Sequence, residues 1–527
     1  MSPEPQRWAM PPQRFALILI ILLGAALRLY NLGGASLWWD EANTMNYSRW
    51  ALDPATAFDS TYIFEAPLMA FLAATWNALI NATVSIPLTD PLRDFLLRLL
   101  PCLVGIATLP LLYVLTRRLT ANPTAALFAT LLFAVSPFQV HYAQELRVYT
   151  IHVFTGLVSI YCTLRALDGG RWPWWLGMAI ANTLLIYGHY TSFWLVFFFN
   201  VYYLTRLPSA FPHIFRWTGW NALMMILIVP ALYHAWHCNQ HFLRIEYDWY
   251  PPLTARTLYI TFKNLTYGYG PQAWAYQPLL ALAIALALLG AWSLRNRWQT
   301  LALLLLLIPG PVLLNFFMWR MRDFSLYEDR IFALSAALAC IPIGAGIAWL
   351  RPPWLRGMAI ATFLALTLPG LSAYYRGDLH PQMEHRIAIC DKVDFRAATA
   401  YLNTVWQPGD FLAHESNFTT FPMQHYFQHE QAHLGATPED AVIYGKAFGN
   451  PEVLEHLHAL PLLAEEAVKP AKRIWYIEAF GVIADGDPQT QSIREWLQQR
   501  YPVIEQHEFD GLRLYLFDKT GEGNPDA

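Results

Sequence analysis

Residues 172–205, WPWWLGMAIANTLLIYGHYTSFWLVFFFNVYYLT, contain no Asp, Glu, Lys or Arg. As one helix this stretch would be about 50 Å long at 1.5 Å per residue. The hydrocarbon core of a bilayer is about 30 Å thick, so the stretch is too long for one crossing. Gly188-His189-Tyr190-Thr191 lies at its middle and can turn the chain. The stretch therefore reads as a hairpin of two short spans, and the chain as a polytopic α-helical membrane protein.

Outward from this hairpin, charge-free windows recur at 119–144, 217–243, 264–294, 298–319, 331–350 and 357–375, with shorter ones at 99–116 and 148–164. Residues 15–27 follow Arg7 and Arg14, and no small-residue cleavage site comes after them, so they read as a retained first span. The expected total is about eleven spans. Arginine pairs then fall in every second loop: Arg117 and Arg118, Arg165 and Arg171, Arg206 and Arg216, Arg295 and Arg297, Arg351 and Arg356. Short loops rich in Arg face the cytoplasm. The N-terminus is expected there, in an inner (plasma) membrane, with the C-terminal part extracytoplasmic.

Composition divides the chain at the same place. Of its 527 residues 55% are hydrophobic and only 14% charged, against about 25% charged in soluble domains. Five of the six lysines lie after residue 376. Two domains are expected: a transmembrane domain, 1–376, with a long first outer loop at 33–92, and a soluble α/β domain, 377–527. With a net charge of −3 and no basic stripe, nucleic acid is excluded as a partner.

In the C-terminal part, 395–402 has helical spacing and Phe411-Leu412-Ala413 reads as a strand. A helix is expected near 418–428, and Gly435 and 445–449 read as loops. Residues 473–480, 503–509 and 513–519 alternate like strands, and 488–500 reads as a helix. Asp510-Gly511 suits a tight turn. His429-Glu430-Gln431-Ala432-His433, with His425 before it, matches a zinc-protease pattern. No distal ligand follows, so the stretch reads as a His-rich helix end. No cofactor is required by the sequence, and a divalent metal is possible but unsupported. Cys102, Cys162 and Cys340 fall in apolar runs and read as small core residues. Cys238 and Cys390 both face the outer side in this topology, where they could pair.

The chemistry concentrates in the first outer loop, at Ser36-Leu37-Trp38-Trp39-Asp40-Glu41-Ala42. A carboxylate held at the interface against aromatic rings gains proton affinity and can act as a general base. The alternative is a helix N-terminus, where acidic residues favour the macrodipole. Further charges, Gln144-Glu145-Leu146-Arg147 and Glu328-Asp329-Arg330, cluster at the outer boundary and not at the costly bilayer centre.

With Leu29-Tyr30-Asn31-Leu32-Gly33-Gly34 before it, this stretch resembles the N-terminal motif of the GT-C glycosyltransferases related to protein O-mannosyltransferases and lipid A aminoarabinose transferases. Arg98-Leu99-Leu100-Pro101, Pro110-Leu111-Leu112-Tyr113, Ser136-Pro137-Phe138, the run Tyr142 to Tyr149, Gly188-His189-Tyr190 and Glu328-Asp329-Arg330 follow in the family's order. Residues 395–410 resemble the start of the family's external domain. One departure stands out: Glu65-Ala66-Pro67-Leu68 occupies the place of the family's His-Pro-Pro-Leu.

The resemblance implies an inverting transferase that moves a sugar from a polyprenyl-phosphate donor to a protein, lipid or glycan acceptor among the membrane lipids. It implies Asp40, Glu41 and Glu145 as catalytic, and Arg147, Arg330, Arg98 and Arg28 as donor phosphate-binding. Glu65, Gln144, Tyr149, His189 and Tyr190 are implied as substrate-binding. A transporter or flippase would instead show an internal repeat and charges near the midplane, and neither is seen. A non-catalytic scaffold leaves the two acidic clusters unexplained.

Overall fold

The computed structural model describes residues 12–59, 63, 65–85, 88–242, 253–321, 327–379, 393–427, 443–446, 471–479 and 488–519. The chain begins with α1 (Pro12–Leu29), α2 (Trp39–Ser48), α3 (Leu68–Thr83), α4 (Asp90–Thr120), α5 (Pro123–Val135), α6 (Pro137–Ala143) and α7 (Tyr149–Leu167). It continues through α8 (Trp172–Gly188), α9 (Ser192–Thr205), α10 (Leu207–Ala210), α11 (Ile214–Leu227), α12 (Val229–Phe242), α13 (Ala255–Tyr267) and α14 (Ala273–Ser293). The helical part closes with α15 (Trp298–Leu307), α16 (Pro309–Arg320), α17 (Ala333–Trp349) and α18 (Pro353–Arg376).

Among the described residues, seven helical stretches are long and apolar enough to cross a membrane, or nine if two bent pairs each count as one span. The expected eleven is not reached, because α8 and α9 have only 17 and 14 residues. The hairpin turn between them falls at His189 as expected, with the His189 amide N–H bonded to Leu185 at 3.0 Å. The window 264–294 is corrected too: its first part belongs to the separate helix α13.

Local chemistry explains the breaks. Ala121 takes a left-handed conformation after α4, and the Asn122 side chain accepts from the Thr124 and Ala125 amides to cap α5. Pro123 then fits the first turn, where its missing N–H costs nothing. Ser136-Pro137 splits the next span, and α6 leaves α5 at 60°. That bend lays α6 across the end of the bundle. At 31 residues, α4 is about 46 Å long, longer than the roughly 30 Å hydrocarbon core of a bilayer. Deep in the bundle, α14 and α17 touch backbone to backbone. A Cβ on Gly290 would lie 1.8 Å from the Pro342 carbonyl, and one on Gly346 2.0 Å from that of Leu286. Only glycine permits that approach.

The C-terminal part contains α19 (Phe395–Val405), β1 (Asp410–Ser416), α20 (Asn417–Tyr426), β2 (Ile443–Lys446), β3 (Arg473–Ala479), α21 (Pro488–Arg500), β4 (Val503–Phe509) and β5 (Leu512–Asp518). Their order in the sheet is β2-β1-β3-β5-β4, with β1 parallel to β2 and β3, and β5 antiparallel to β3 and β4. The region of Gly445, expected as a loop, begins as edge strand β2. Alternation sorts the sheet's two faces. Trp475, Ile477, Leu514 and Leu516 join the core continuous with the helical bundle, while Ile474, Tyr476 and Phe517 pack with Leu497 of α21. The β4–β5 turn is Asp510-Gly511, with Gly511 at φ 73°. Of the His-rich stretch, His425 lies in the last turn of α20, whereas His429 to His433 lie outside the described residues. Cys390 also lies outside them, and Cys238 is buried beside His234.

The sheet domain is fastened to the first loop. Arg396 donates to the Gly33 carbonyl at 2.9 Å and to Asp94 at 3.2 Å. The Tyr426 hydroxyl donates to Asp94 at 2.6 Å and accepts from the Leu37 amide at 2.6 Å. Asp94 is fully buried, so these bonds are shielded from water and hold the segment that leads into α2.

Candidate active site

Asp40 and Glu41 open α2, where negative charge suits the helix dipole. Both are buried, at 2% and 0% exposure, yet their surroundings differ. Glu41 is enclosed in bonds. Its carboxylate accepts from Arg98 Nε at 2.7 Å and Nη2 at 2.6 Å, from the Leu146 amide at 2.8 Å and from the Trp38 amide at 3.4 Å. Arg98 spends its remaining N–H groups on the carbonyls of Ala35, Ser36 and Leu32. The pair bolts the first loop to α4 and to the segment after α6. Glu41, expected as catalytic, is here the counter-ion of Arg98, and Arg98, expected at a phosphate, has its N–H groups bonded within the chain.

Asp40 faces two arginines from distant parts of the chain. Its Oδ2 lies 2.5 Å from Arg330 Nη1 and 3.6 Å from Arg147 Nε. Arg147 also reaches Thr44 Oγ1 at 2.9 Å and Glu65 at 2.9 Å. Burial works against the charge of Arg147, but Asp40 and Glu65 hold its pKa well above the ordinary value. Arg330 is paired in addition with Glu328 through two N–H groups. The Tyr149 ring lies under both guanidinium groups, 6.0 Å from that of Arg147 and 5.5 Å from that of Arg330. Such a face favours cations and fixes their spacing. The cluster opens at Glu65, whose side chain is 35% exposed.

His189 approaches from the α8–α9 turn, its ring 6.5 Å from that of Tyr149. Burial, with Arg330 and Arg147 nearby, pushes its pKa down to about 4. The neutral ring can serve as a hydrogen-bonding group.

Other expected site residues lie elsewhere. Arg28 is fully buried, and its Nη groups donate to the carbonyls of Gly24, Ala134 and Phe133. It ties α1 to α5 and does not face the cluster. Gln144 donates to the carbonyls of Arg28 and Tyr30 and accepts from Tyr374, so it caps the end of α1. Tyr190 bonds His234 at 2.5 Å, and His234 bonds the Ile63 carbonyl at 2.7 Å; together they anchor the first loop. Glu145 is buried with Oε1 3.1 Å from His141 Nε2, and its Oε2 has no hydrogen bond. Gln144 and Tyr190, expected to bind substrate, and Arg28, expected to bind phosphate, thus make these bonds outside the Asp40–Arg147–Arg330 cluster.

Asp329 was missed as a site residue in its own right. It accepts from Asn264 at 2.5 Å and from Tyr269 at 3.1 Å, which fixes the 3-10 turn Asp329–Phe332 that presents Arg330. Lys263, also missed, bonds Asn264 at 3.1 Å. The signal for it was in the sequence: it is the single lysine before residue 376. Among the described residues, no group of three or more His, Cys, Asp or Glu side chains is arranged to hold a metal ion.

The protein family described as dolichyl-phosphate-mannose-protein mannosyltransferase matches residues 65–234. ArnT from Cupriavidus metallidurans in the apo state superposes with a TM-score of 0.63 at 12% identity, covering 96% of this chain and 98% of that one. The same enzyme bound to undecaprenyl phosphate gives 0.60 at 12% identity, covering 96% and 99%. The apo oligosaccharyltransferase of Archaeoglobus fulgidus gives 0.55 at 12% identity, covering 90% of this chain and 70% of that one. No curated protein matches the chain in sequence. The chain shares its fold with these membrane enzymes. Over residues 65–234 it resembles the dolichyl-phosphate-mannose-protein mannosyltransferase family.

Proposed function

We propose that the chain is an inverting glycosyltransferase that moves a sugar from a polyprenyl-phosphate donor to an acceptor on the extracytoplasmic side of the membrane. The observation that carries this reading is the buried Asp40–Arg147–Arg330 cluster, three residues drawn from the first loop, the α6–α7 segment and the 3-10 turn before α17. It is supported by the fold and by the undecaprenyl phosphate bound to a structure of that fold.

In this reading an acceptor oxygen or other nucleophile attacks the anomeric carbon, and the bond from that carbon to the phosphate oxygen breaks with its electrons. The leaving phosphate then carries the developing charge. Arg147 and Arg330 stand ready to receive it, since guanidinium groups bind phosphate through paired N–H donors. Each already holds carboxylates, so donor binding exchanges part of that bonding for phosphate. Asp40, relieved of Arg330, takes the acceptor's proton. Glu65 and His189 border the opening and suit hydroxyl groups of the sugar or acceptor.

The donor class is testable directly. Purified protein in detergent, offered a crude acceptor extract, is expected to transfer from a polyprenyl-phosphate sugar and not from a nucleotide sugar. Transfer from the nucleotide sugar, with the lipid-linked donor inert, would sink the reading.

Orientation rests on the arginine pairs. Reporter fusions after Arg118, Arg297 and Arg356 are expected to behave as cytoplasmic, and one after Gly377 as extracytoplasmic. A cytoplasmic signal after Gly377 would put the cluster on the wrong side for this chemistry.

A further inference from the structure

Beyond the Asp40 cluster, a cleft of about 270 Å³ lies where α2, α3, α4 and α20 meet. Its walls include Asn46, Arg49, Asn77, Arg93, Gln424 and His425. Asn46 is six residues beyond Asp40 on α2, about 9 Å along the axis, so the cleft is separate from the Asp40 cluster.

The chemistry of the walls is one-sided. Among the described residues neither Arg49 nor Arg93 has an ion-pair partner, and Arg93 Nε is buried without a hydrogen bond. Asn46 is 4% exposed, and its Nδ2 also has no partner. Buried donors left unmade carry a desolvation cost that a bound acceptor would relieve. The carboxylate beside the cleft, Asp94, is not among its walls: Oδ2 accepts from Arg396 and Tyr426, while the buried Oδ1 has no hydrogen bond and lies 3.8 Å from His425. Two arginines and several amides facing a small cavity form a receptor for a compact anion with several oxygens.

The same two helices say where that anion comes from. α3, which supplies Asn77, exposes Phe71 and Leu79 at 48% and 50%, and α4, which supplies Arg93, exposes Leu103 at 47%. Apolar side chains so exposed on apolar helices suit contact with acyl chains. The cleft lies at the end of the bundle that carries the sheet domain.

We propose that this cleft binds the phosphate of an anionic membrane lipid. Arg49 and Arg93 hold the phosphate oxygens, Asn46 and Asn77 add amide N–H donors, and the acyl chains lie along α3. A bound lipid phosphate would also join α2 to α20, and so the catalytic loop to the sheet domain. The site does not depend on the identity of the donor or acceptor.

Full-length protein in detergent is examined by native mass spectrometry with added phosphatidylglycerol, and separately with diacylglycerol of the same chains. Wild type is expected to retain one more phosphatidylglycerol than the Arg49→Gln/Arg93→Gln double variant, whose apparent affinity for that lipid falls about tenfold or more. Millimolar inorganic phosphate is expected to displace this lipid from wild type, which shows that the phosphate is what is read. Diacylglycerol is expected to bind both proteins alike. Asn77→Asp keeps both arginines but adds a negative charge to the wall, and it is expected to lower retention too, at an unchanged melting temperature. Equal phosphatidylglycerol retention by wild type and Asn77→Asp, or by wild type and a folded double variant, overturns the proposal. Binding of inorganic phosphate without lipid retention overturns the lipid source.

Discussion

Asp40→Asn is expected to lower turnover by about 10²–10⁴, the range that general-base catalysis supplies. The substitution keeps size and a hydrogen-bond acceptor for Arg330 but removes the basic carboxylate. The fold should survive it, because each neighbouring guanidinium keeps a carboxylate: Arg147 keeps Glu65 and Arg330 keeps Glu328. Donor KM is expected to change little, since the groups assigned to phosphate remain. The measurement is kcat and donor KM on purified protein, with a thermal melt beside it. Nearly normal turnover would move the base to Glu145 or Glu65. Loss of folded protein would instead assign Asp40 to opening α2.

How much of this was legible in the sequence depends on what each residue needed. The hairpin of α8 and α9 and the β4–β5 turn are local events, fixed by His189 and Gly511 in their own segments. The mixed sheet alternates with period two, so β1, β3, β4 and β5 could be read from side-chain order alone. The span count could not. Charge-free windows do not show that Ser136-Pro137 bends a span, or that α13 stands apart from α14. Among the site residues, acidic and basic types at the ends of spans pointed to Asp40, Arg147 and Arg330. Separating them from Glu41, Arg98 and Arg28 required partners far along the chain. Glu41 sits 57 residues from Arg98, and Asp40 sits 290 from Arg330. A sequence shows which side chains carry charge; which of two adjacent carboxylates is bolted and which faces the arginines is decided by packing.

That difference sets the second large effect. Glu41→Gln is expected to act on stability before chemistry. Glu41 is fully buried and neutralises Arg98, itself 1% exposed, through two short bonds. Removing its charge leaves a guanidinium without its counter-ion in a medium of low dielectric. Breaking a buried pair from one side costs about 3–5 kcal/mol. A lowered melting temperature and less folded protein should follow. Replacing both partners, as Glu41→Gln with Arg98→Met, removes the stranded charge and should recover part of the loss, a coupling that a double-mutant cycle measures. Recovery will be incomplete, because Arg98 also holds the carbonyls of Ala35 and Ser36. Turnover per folded molecule should fall far less than in Asp40→Asn. A Glu41→Gln protein that melts like wild type but loses 10²-fold or more in turnover would return Glu41 to the chemistry.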